Sequence, residues 1–326
     1  MPAQSFASAF RSLPRRFPQM PRRLLLFTLY FSLFTLLLAC AAQKPPQVEL
    51  QPAAYREIPP KVGLALGGGG ARGFSEIGVL RVLEQEKLPV DLVVGTSVGS
   101  LVGALYADTG RVLDAEFTAL AVTGDDLFDY QAMAVFSGGF VKGERLEEFL
   151  GAHLKHKTIE SMKVPFTAVA VDLMAGKTVA FERGSVAQAV HASCAIPGVF
   201  VPVEFGGKVY VDGGVTDPIP ADIARKQGAD VVIAVAIPPG LPGKKPTNPV
   251  EVAFHAVTLM SSEIGALRAK EADVVITPQV AGVAFDDFSQ KKRLIEAGEA
   301  AAREALPAIR AAMAAKTRRV PVTPAP

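Results

Sequence analysis

Residues 62–107 read VGLALGGGGARGFSEIGVLRVLEQEKLPVDLVVGTSVGSLVGALYA. An apolar run, 62–66, enters four glycines, Gly67 to Gly70, and a helical pattern, 72–87, leaves them. A second apolar run, 91–95, closes on Gly95-Thr96-Ser97-Val98-Gly99, and a second helical pattern, 97–107, follows. Strand, glycine turn and helix thus occur twice in succession. Outward from this stretch the alternation continues. Further strands are expected at 166–172, 178–182, 208–212, 231–237 and 273–277. Further helices are expected at 112–121, 144–154, 185–193, 218–227, 250–270 and 290–315. Runs such as VVIAVAI and ADVVIT are rich in Val, Ala and Ile rather than alternating. Such strands are buried on both faces, as in an α/β fold whose mainly parallel sheet is covered by helices. No internal repeat is found, and no linker divides residues 61–315.

The glycine run calls for a backbone that approaches something closely, with φ values other residues avoid. At a helix N-terminus the free N–H groups favour negative charge, so the loop can hold a phosphate or stabilise an oxyanion. Gly68, Gly70 and Gly73 also satisfy G-x-G-x-x-G. A dinucleotide site needs an acid closing the second strand, about 20 residues on. Here Asp91 opens that strand and Ser97 follows its end, and no Gly-Lys-Ser/Thr is present for a Walker loop. Nucleotide binding is therefore disfavoured.

Gly95–Gly99 is a nucleophile elbow, a sharp strand-to-helix turn that exposes the Ser97 hydroxyl and needs small neighbours. The helix that begins at Ser97 directs its positive end to the oxyanion side. A nucleophilic serine needs a base. The chain has four histidines, His153, His156, His191 and His255. Only His255 follows a plausible acid such as Asp212 or Asp217, as the hydrolase order requires. It lies inside a long helical pattern with no loop to present it. An aspartate remains: KVYVDGGVTDPIP, residues 208–220, ends a strand in Asp212 before Gly213 and Gly214, with Pro218 and Pro220 shaping the next helix start.

Together these segments resemble the patatin-like phospholipase family over roughly residues 61–300. Gly68-Gly69-Gly70-Ala71-Arg72-Gly73 resembles the family's oxyanion loop, Gly95–Gly99 its elbow, and Asp212-Gly213-Gly214 its aspartate motif. Ala192-Ser193-Cys194-Ala195-Ile196-Pro197 resembles a further family segment. The resemblance implies a three-layer α/β/α fold and a Ser97–Asp212 dyad that releases fatty acid from phospholipids or related esters. In that mechanism Asp212 takes the Ser97 proton and the Gly69 and Gly70 N–H groups hold the oxyanion, with Val98 N–H as a further donor. Arg72 either holds the loop, meets a lipid phosphate or lies on the surface. Asp217 stands where many family members carry Asn, and is read as local hydrogen bonding without consequence for the dyad. Cys194 reads as a small packed residue, and Asp172 as a partner for loop N–H groups. Residues 127–140, LFDYQAMAVFSGGF, suit either the core or an acyl-binding flap. Neither metal nor organic cofactor is called for.

The whole chain has 326 residues, 20% charged and 49% hydrophobic, which excludes a disordered class. No basic patch interleaved with aromatic residues suggests nucleic acid. Two cysteines exclude a disulfide framework. Arg11, Arg15, Arg16, Arg22 and Arg23 precede an uncharged apolar run, Leu24 to Ala39, that ends Leu37-Leu38-Ala39-Cys40. This is too short for a bilayer span of about 18–20 residues and suits a signal peptide, residues 1–39. The ending resembles a bacterial lipobox, which implies cleavage before Cys40, lipidation of its thiol, and anchoring at a membrane surface. Ala41 in place of Asp favours the periplasmic face of the outer membrane. Met20 offers an alternative start. Removal of the five arginines leaves 29 basic and 32 acidic residues, a net of −3, so the basicity belongs to the signal. Residues 40–60 are Pro-rich and read as a tether, 61–315 as the catalytic domain, and 316–326 as a frayed tail. The main expectation is a serine lipid acyl hydrolase. The alternative is an exported lipoprotein of the same fold that binds lipid or a partner without turnover.

Overall fold

A computed structural model describes residues 55–130, 138–240 and 245–322. In chain order the first elements are β1 (Tyr55–Ile58), β2 (Val62–Leu66), α1 (Phe74–Gln85), β3 (Leu92–Thr96), α2 (Val98–Thr109) and α3 (Val112–Ala121). A single turn, α4 (Gly124–Leu127), leads to α5 (Glu144–His153), β4 (Phe166–Asp172), β5 (Lys177–Phe181) and α6 (Val186–Cys194). Then come β6 (Val203–Phe205), β7 (Lys208–Asp212), α7 (Ala221–Lys226), β8 (Val231–Val235) and α8 (Pro249–Arg268). The last are β9 (Val274–Ile276), α9 (Lys291–Lys316) and β10 (Arg318–Pro321).

The main sheet has the order β6-β7-β4-β3-β2-β8-β9, with β5 also paired to β4. Strands β4, β3, β2, β8 and β9 run parallel. Beyond β4 the sheet turns antiparallel through β5, β7 and β6. The parallel strands are apolar on both faces because helices cover both. Val231, Ile233 and Val235 of β8 join Val62, Leu64 and Leu66 of β2 in the larger core, with side chains of α1, α2, α3, α5, α6 and α9. Val232 and Ala234 point the other way, towards Ala65, Val94 and the α7 residues Ala221, Ile223 and Ala224. This is the expected three-layer α/β/α arrangement. No helix among the described residues is long and apolar enough to cross a membrane.

Two boundaries differ from expectation. The stretch from 316 is not simply a frayed tail: Arg318–Pro321 forms β10, antiparallel to β1. Arg319 Nη2 lies 3.1 Å from Glu57 Oε1 across that pair. Tyr55–Ile58, within the stretch 40–60 expected to be a tether, is thus a strand. Neither YREI nor RRVP reads as a strand by itself, and the pairing joins residues 262 apart in the chain. The short elements α4 and β6 are likewise additions to the expected set. Cys40, the apolar run 24–39 and residues 131–137 of the aromatic segment lie outside the described residues.

Candidate active site

β3 ends at Thr96 and α2 begins at Val98, so Ser97 alone makes the turn. Its backbone has φ 55° and ψ −130°, a left-handed φ that a residue with a Cβ adopts only under constraint. The flanking glycines supply that constraint. A Cβ on Gly95 would lie 2.3 Å from the Gly99 carbonyl oxygen, and one on Gly99 would lie 2.4 Å from that of Leu66. The strand and helix can fold against each other only without those side chains. The Ser97 N–H donates to Ser193 Oγ at 2.9 Å, and the Ser193 hydroxyl donates to the Val169 carbonyl at 2.6 Å. Ser193 is fully buried on α6. It ties the elbow to β4, a positioning role that its motif alone does not reveal.

Asp212 reaches the same place from the antiparallel side. β7 pairs with β4 so that Asp212 stands opposite Ala170, and Thr96 stands opposite the neighbouring Val169 on the same edge, since β5 takes the other edge over Ala168–Asp172. Gly214 N–H donates to Asp212 Oδ1 at 2.7 Å, and the Asp212 N–H donates to the Ala195 carbonyl at 2.8 Å. The carboxylate is 5% exposed, and burial raises its pKa to about 6. The nearby Ser97 hydroxyl and the Gly214 N–H oppose that rise. No hydrogen bond of ordinary geometry joins Ser97 to Oδ2, which is buried without a partner. Asp212 is thus chiefly ionised at neutral pH, with one oxygen free beside the hydroxyl.

In the glycine loop, only part of the expected set is available as donors. The Gly68 N–H is committed to the Pro218 carbonyl at 3.1 Å, and the Ala71 N–H to that of Phe285 at 2.6 Å. Both are therefore removed from the oxyanion set, because each N–H already serves to fix the loop. Gly68 instead packs against the nucleophile, where an added Cβ would lie 3.3 Å from that of Ser97, and Gly73 packs against Val98. Gly70 has φ 59°, and with Gly69 it keeps its N–H free of backbone acceptors among the described residues. Arg72 is buried rather than on the surface. Its Nε donates to the Gly69 carbonyl at 3.0 Å and Nη1 to the Pro238 carbonyl at 2.8 Å. Of its three readings, holding the loop is the one the geometry fits. Glu76, one turn into α1, is wholly buried with both carboxyl oxygens unpartnered. Burial raises its pKa well above the usual carboxylate range.

Asp217 is more closely joined to the site than local hydrogen bonding implies. Its carbonyl accepts from the Thr96 hydroxyl at 2.8 Å, one residue before the nucleophile. Its carboxyl is 1% exposed and lies 3.6 Å from Arg268 Nε. Burial, and then the charge of Asp222, raise its pKa to about 8. Asp172 accepts from the Ala175 N–H at 3.0 Å, as expected of a loop partner. Cys194 is buried, and burial pushes its thiol pKa well up. It is a packed and inert thiol.

Two cavities meet at Ser97. One is lined almost wholly by apolar side chains, among them Leu101, Leu105, Phe128, Phe149 and Phe200. The other is a broader cleft that includes Gly69, Arg72, Asp212, Thr258 and Ser261. Ser97, Gly70 and Ile196 belong to both. None of the four histidines lines either cavity. His156 is 2.8 Å from Asp108 and His191 is 2.7 Å from Glu147, while His255 sits within α8. Of the aromatic segment, Leu127 and Phe128 line the apolar cavity, whereas Tyr130 and Phe140 are exposed.

The sequence model of the Patatin-like phospholipase family matches residues 64–225, which include the glycine loop, Ser97 and Asp212. An uncharacterized NTE family protein of Mycobacterium bovis is 36% identical over 189 residues, covering 57% of this chain and 52% of that protein. Patatin-like phospholipase domain-containing protein 6 of Homo sapiens is 36% identical over 187 residues, covering 54% of this chain and 13% of that protein. The chain thus spans about half the length of the mycobacterial relative and less of the human one. Among solved structures, VipD from Legionella pneumophila matches with a TM-score of 0.47 and 14% identity, over 87% of this chain and 74% of that one.

Proposed function

We propose, from the premise that the chain belongs to the patatin-like phospholipase family, that it is a lipid acyl hydrolase working through Ser97 and Asp212. The observation that carries this reading is a strained, buried serine beside a carboxylate with one unpartnered oxygen, at a point where an apolar cavity meets an open cleft. Asp212 Oδ2 takes the proton from Ser97 Oγ as that oxygen attacks the ester carbonyl. The Gly69 and Gly70 N–H groups receive the oxyanion, worth about 10²–10³ in rate per donor. Collapse breaks the bond to the alcohol, which leaves with the proton from Asp212. Water then attacks the acyl-enzyme by the same route and frees the fatty acid. Burial makes Asp212 a better base than an exposed carboxylate, whose pKa is about 3.9. The test is release of fatty acid from a lysophospholipid or monoacylglycerol by the purified protein. The expected result is turnover that Ser97→Ala removes while the far-ultraviolet circular dichroism is retained. Turnover by Ser97→Ala near wild type would end the assignment.

Anchoring belongs to the same proposal. Cleavage before Cys40 and acylation of its thiol would hold the domain at a membrane, with the periplasmic face of the outer membrane favoured. Each buried CH₂ is worth about 0.8 kcal/mol, and stable attachment takes more than one chain. The chain joins the domain at β1, which leads into the N-terminal end of β2, whereas Ser97 follows the C-terminal end of β3. Mass spectrometry of the mature N-terminus is the check. A diacylated Cys40 is expected, and a Cys40 peptide without acyl chains would contradict it.

A further inference from the structure

The apolar cavity runs along the nucleophile helix. Val98, Leu101, Val102 and Leu105 line it, and that spacing places them on one face of α2. Leu105 is the last residue of α2 to line the cavity. Ala119 and Val122, at the end of α3, and Leu146 and Phe149 of α5 line it as well. Leu105, Ala119, Leu146 and Phe149 are all buried, so this end is shut off within the core rather than open to solvent. The eight residues from Ser97 to Leu105 advance about 12 Å at about 1.5 Å each. An extended alkyl chain, with C–C bonds of about 1.5 Å, advances roughly 1.3 Å per carbon. A chain of about nine or ten carbons therefore fills the length from the nucleophile to Leu105.

We propose that this cavity is an acyl chamber that selects medium-length chains, with Leu105 as its floor and Ala119 setting its width. The proposal rests on Ser97 being an ester nucleophile. The alcohol half of the substrate then occupies the broader cleft, since the two spaces meet only around Ser97, Gly70 and Ile196. Ala119 is the smallest side chain in the deep part of the lining, so a larger one there fills the chamber without touching the dyad. Removal of the Leu105 side chain beyond Cβ extends the chamber along α2.

The test is the chain-length profile of kcat/KM for 4-nitrophenyl esters from acetate to palmitate, in one detergent, with the full-length protein. Wild type is expected to peak at octanoate to decanoate and to fall at palmitate. Ala119→Phe should move the peak to butyrate and lower the decanoate-to-acetate ratio about 4000-fold, at about fourfold for each of the six excluded methylenes. Leu105→Ala should move the peak towards laurate and myristate. Ala119→Leu gives the same direction as the phenylalanine variant with less overpacking, if the latter fails to fold. A wild-type peak at palmitate, or profiles that stay put in folded Ala119→Leu and Leu105→Ala, overturns the chamber. Labelling of Ser97 by a small methyl fluorophosphonate in the same samples separates the two readings. Labelled wild type with an unmoved profile sinks only the chamber, whereas unlabelled and inactive wild type sinks the nucleophile beneath it.

Discussion

The two halves of the proposed dyad are held in different ways. Ser97 is fixed by its neighbours in sequence: two glycines that admit a carbonyl where a Cβ would stand, and a φ of 55° that the turn imposes. Asp212 is fixed by the sheet, through an antiparallel register that sets it opposite Ala170. Its readiness as a base comes from burial, which raises its pKa to about 6. The nucleophile is thus a matter of backbone sterics and the base a matter of electrostatics. Substitutions on the two sides should fail differently.

The largest effects fall on the dyad itself. Ser97→Ala and Asp212→Asn should each lower kcat by about 10⁴-fold or more, as in other serine hydrolases that lose a core catalytic group. Only the second should change stability with pH. A folded-state pKa raised from 3.8 to about 6 means that the folded form holds its proton more tightly than the unfolded one. Stability from this group is full below pH 4 and is lost as pH rises towards 6, by about 3 kcal/mol. Asp212→Asn removes that slope, so it should melt several degrees higher than wild type at pH 8. Thermal unfolding at pH 5 and pH 8 checks this, and a parallel pH dependence in the two proteins would contradict it.

On the steric side, Gly99→Ala should destabilise the fold by about 3 kcal/mol, the upper range of overpacking. Activity should fall with the elbow geometry, read as lost fluorophosphonate labelling in the protein that still folds. Ser193→Ala leaves the Ser97 N–H and the Val169 carbonyl buried and unpaired, costing about 1–3 kcal/mol. A fall of about 10- to 100-fold in kcat with little change in KM is expected, because the serine is misplaced rather than removed. A change confined to KM would show that Ser193 acts on substrate binding instead. The smallest effect on turnover is expected at Asp217. At neutral pH its carboxyl is mostly protonated, and Asn copies that form, so Asp217→Asn should be near wild type in turnover. Its raised pKa of about 8 extends the loss of stability with rising pH beyond the window of Asp212. The variant should therefore gain on wild type between pH 6 and pH 9, measured by urea unfolding.

How much of this was legible in the sequence follows the same division. The parallel strands β2, β3, β4 and β8 were legible because each is an unbroken apolar run covered on both faces. The elbow was legible because its geometry depends on residues within two positions of Ser97. Asp212 was legible as the end of a strand that burial would make a stronger base, but the neighbours that bury it, contributed by β4 and α6, were not legible. The pairing of β1 with β10 was hidden because two short, exposed, arginine-bearing segments carry no apolar pattern. The loop showed its glycines but not their division of labour. Which N–H groups stay free depends on the Pro218 and Phe285 carbonyls, far along the chain. Glu76 and Ser193 were passed over because a polar residue in an apolar helix reveals its partner, or its lack of one, only after packing.

The central claim is that Asp212, and no histidine, activates Ser97. The most direct test is the rate of fluorophosphonate labelling of Ser97 as a function of pH, in wild type, Asp212→Asn and His255→Ala. The account predicts a wild-type rate that falls on the acid side with an apparent pKa of about 6. It predicts the same curve for His255→Ala and almost no labelling for Asp212→Asn at any pH. Labelling of Asp212→Asn at the wild-type rate, or its loss in a folded His255→Ala variant, would contradict it.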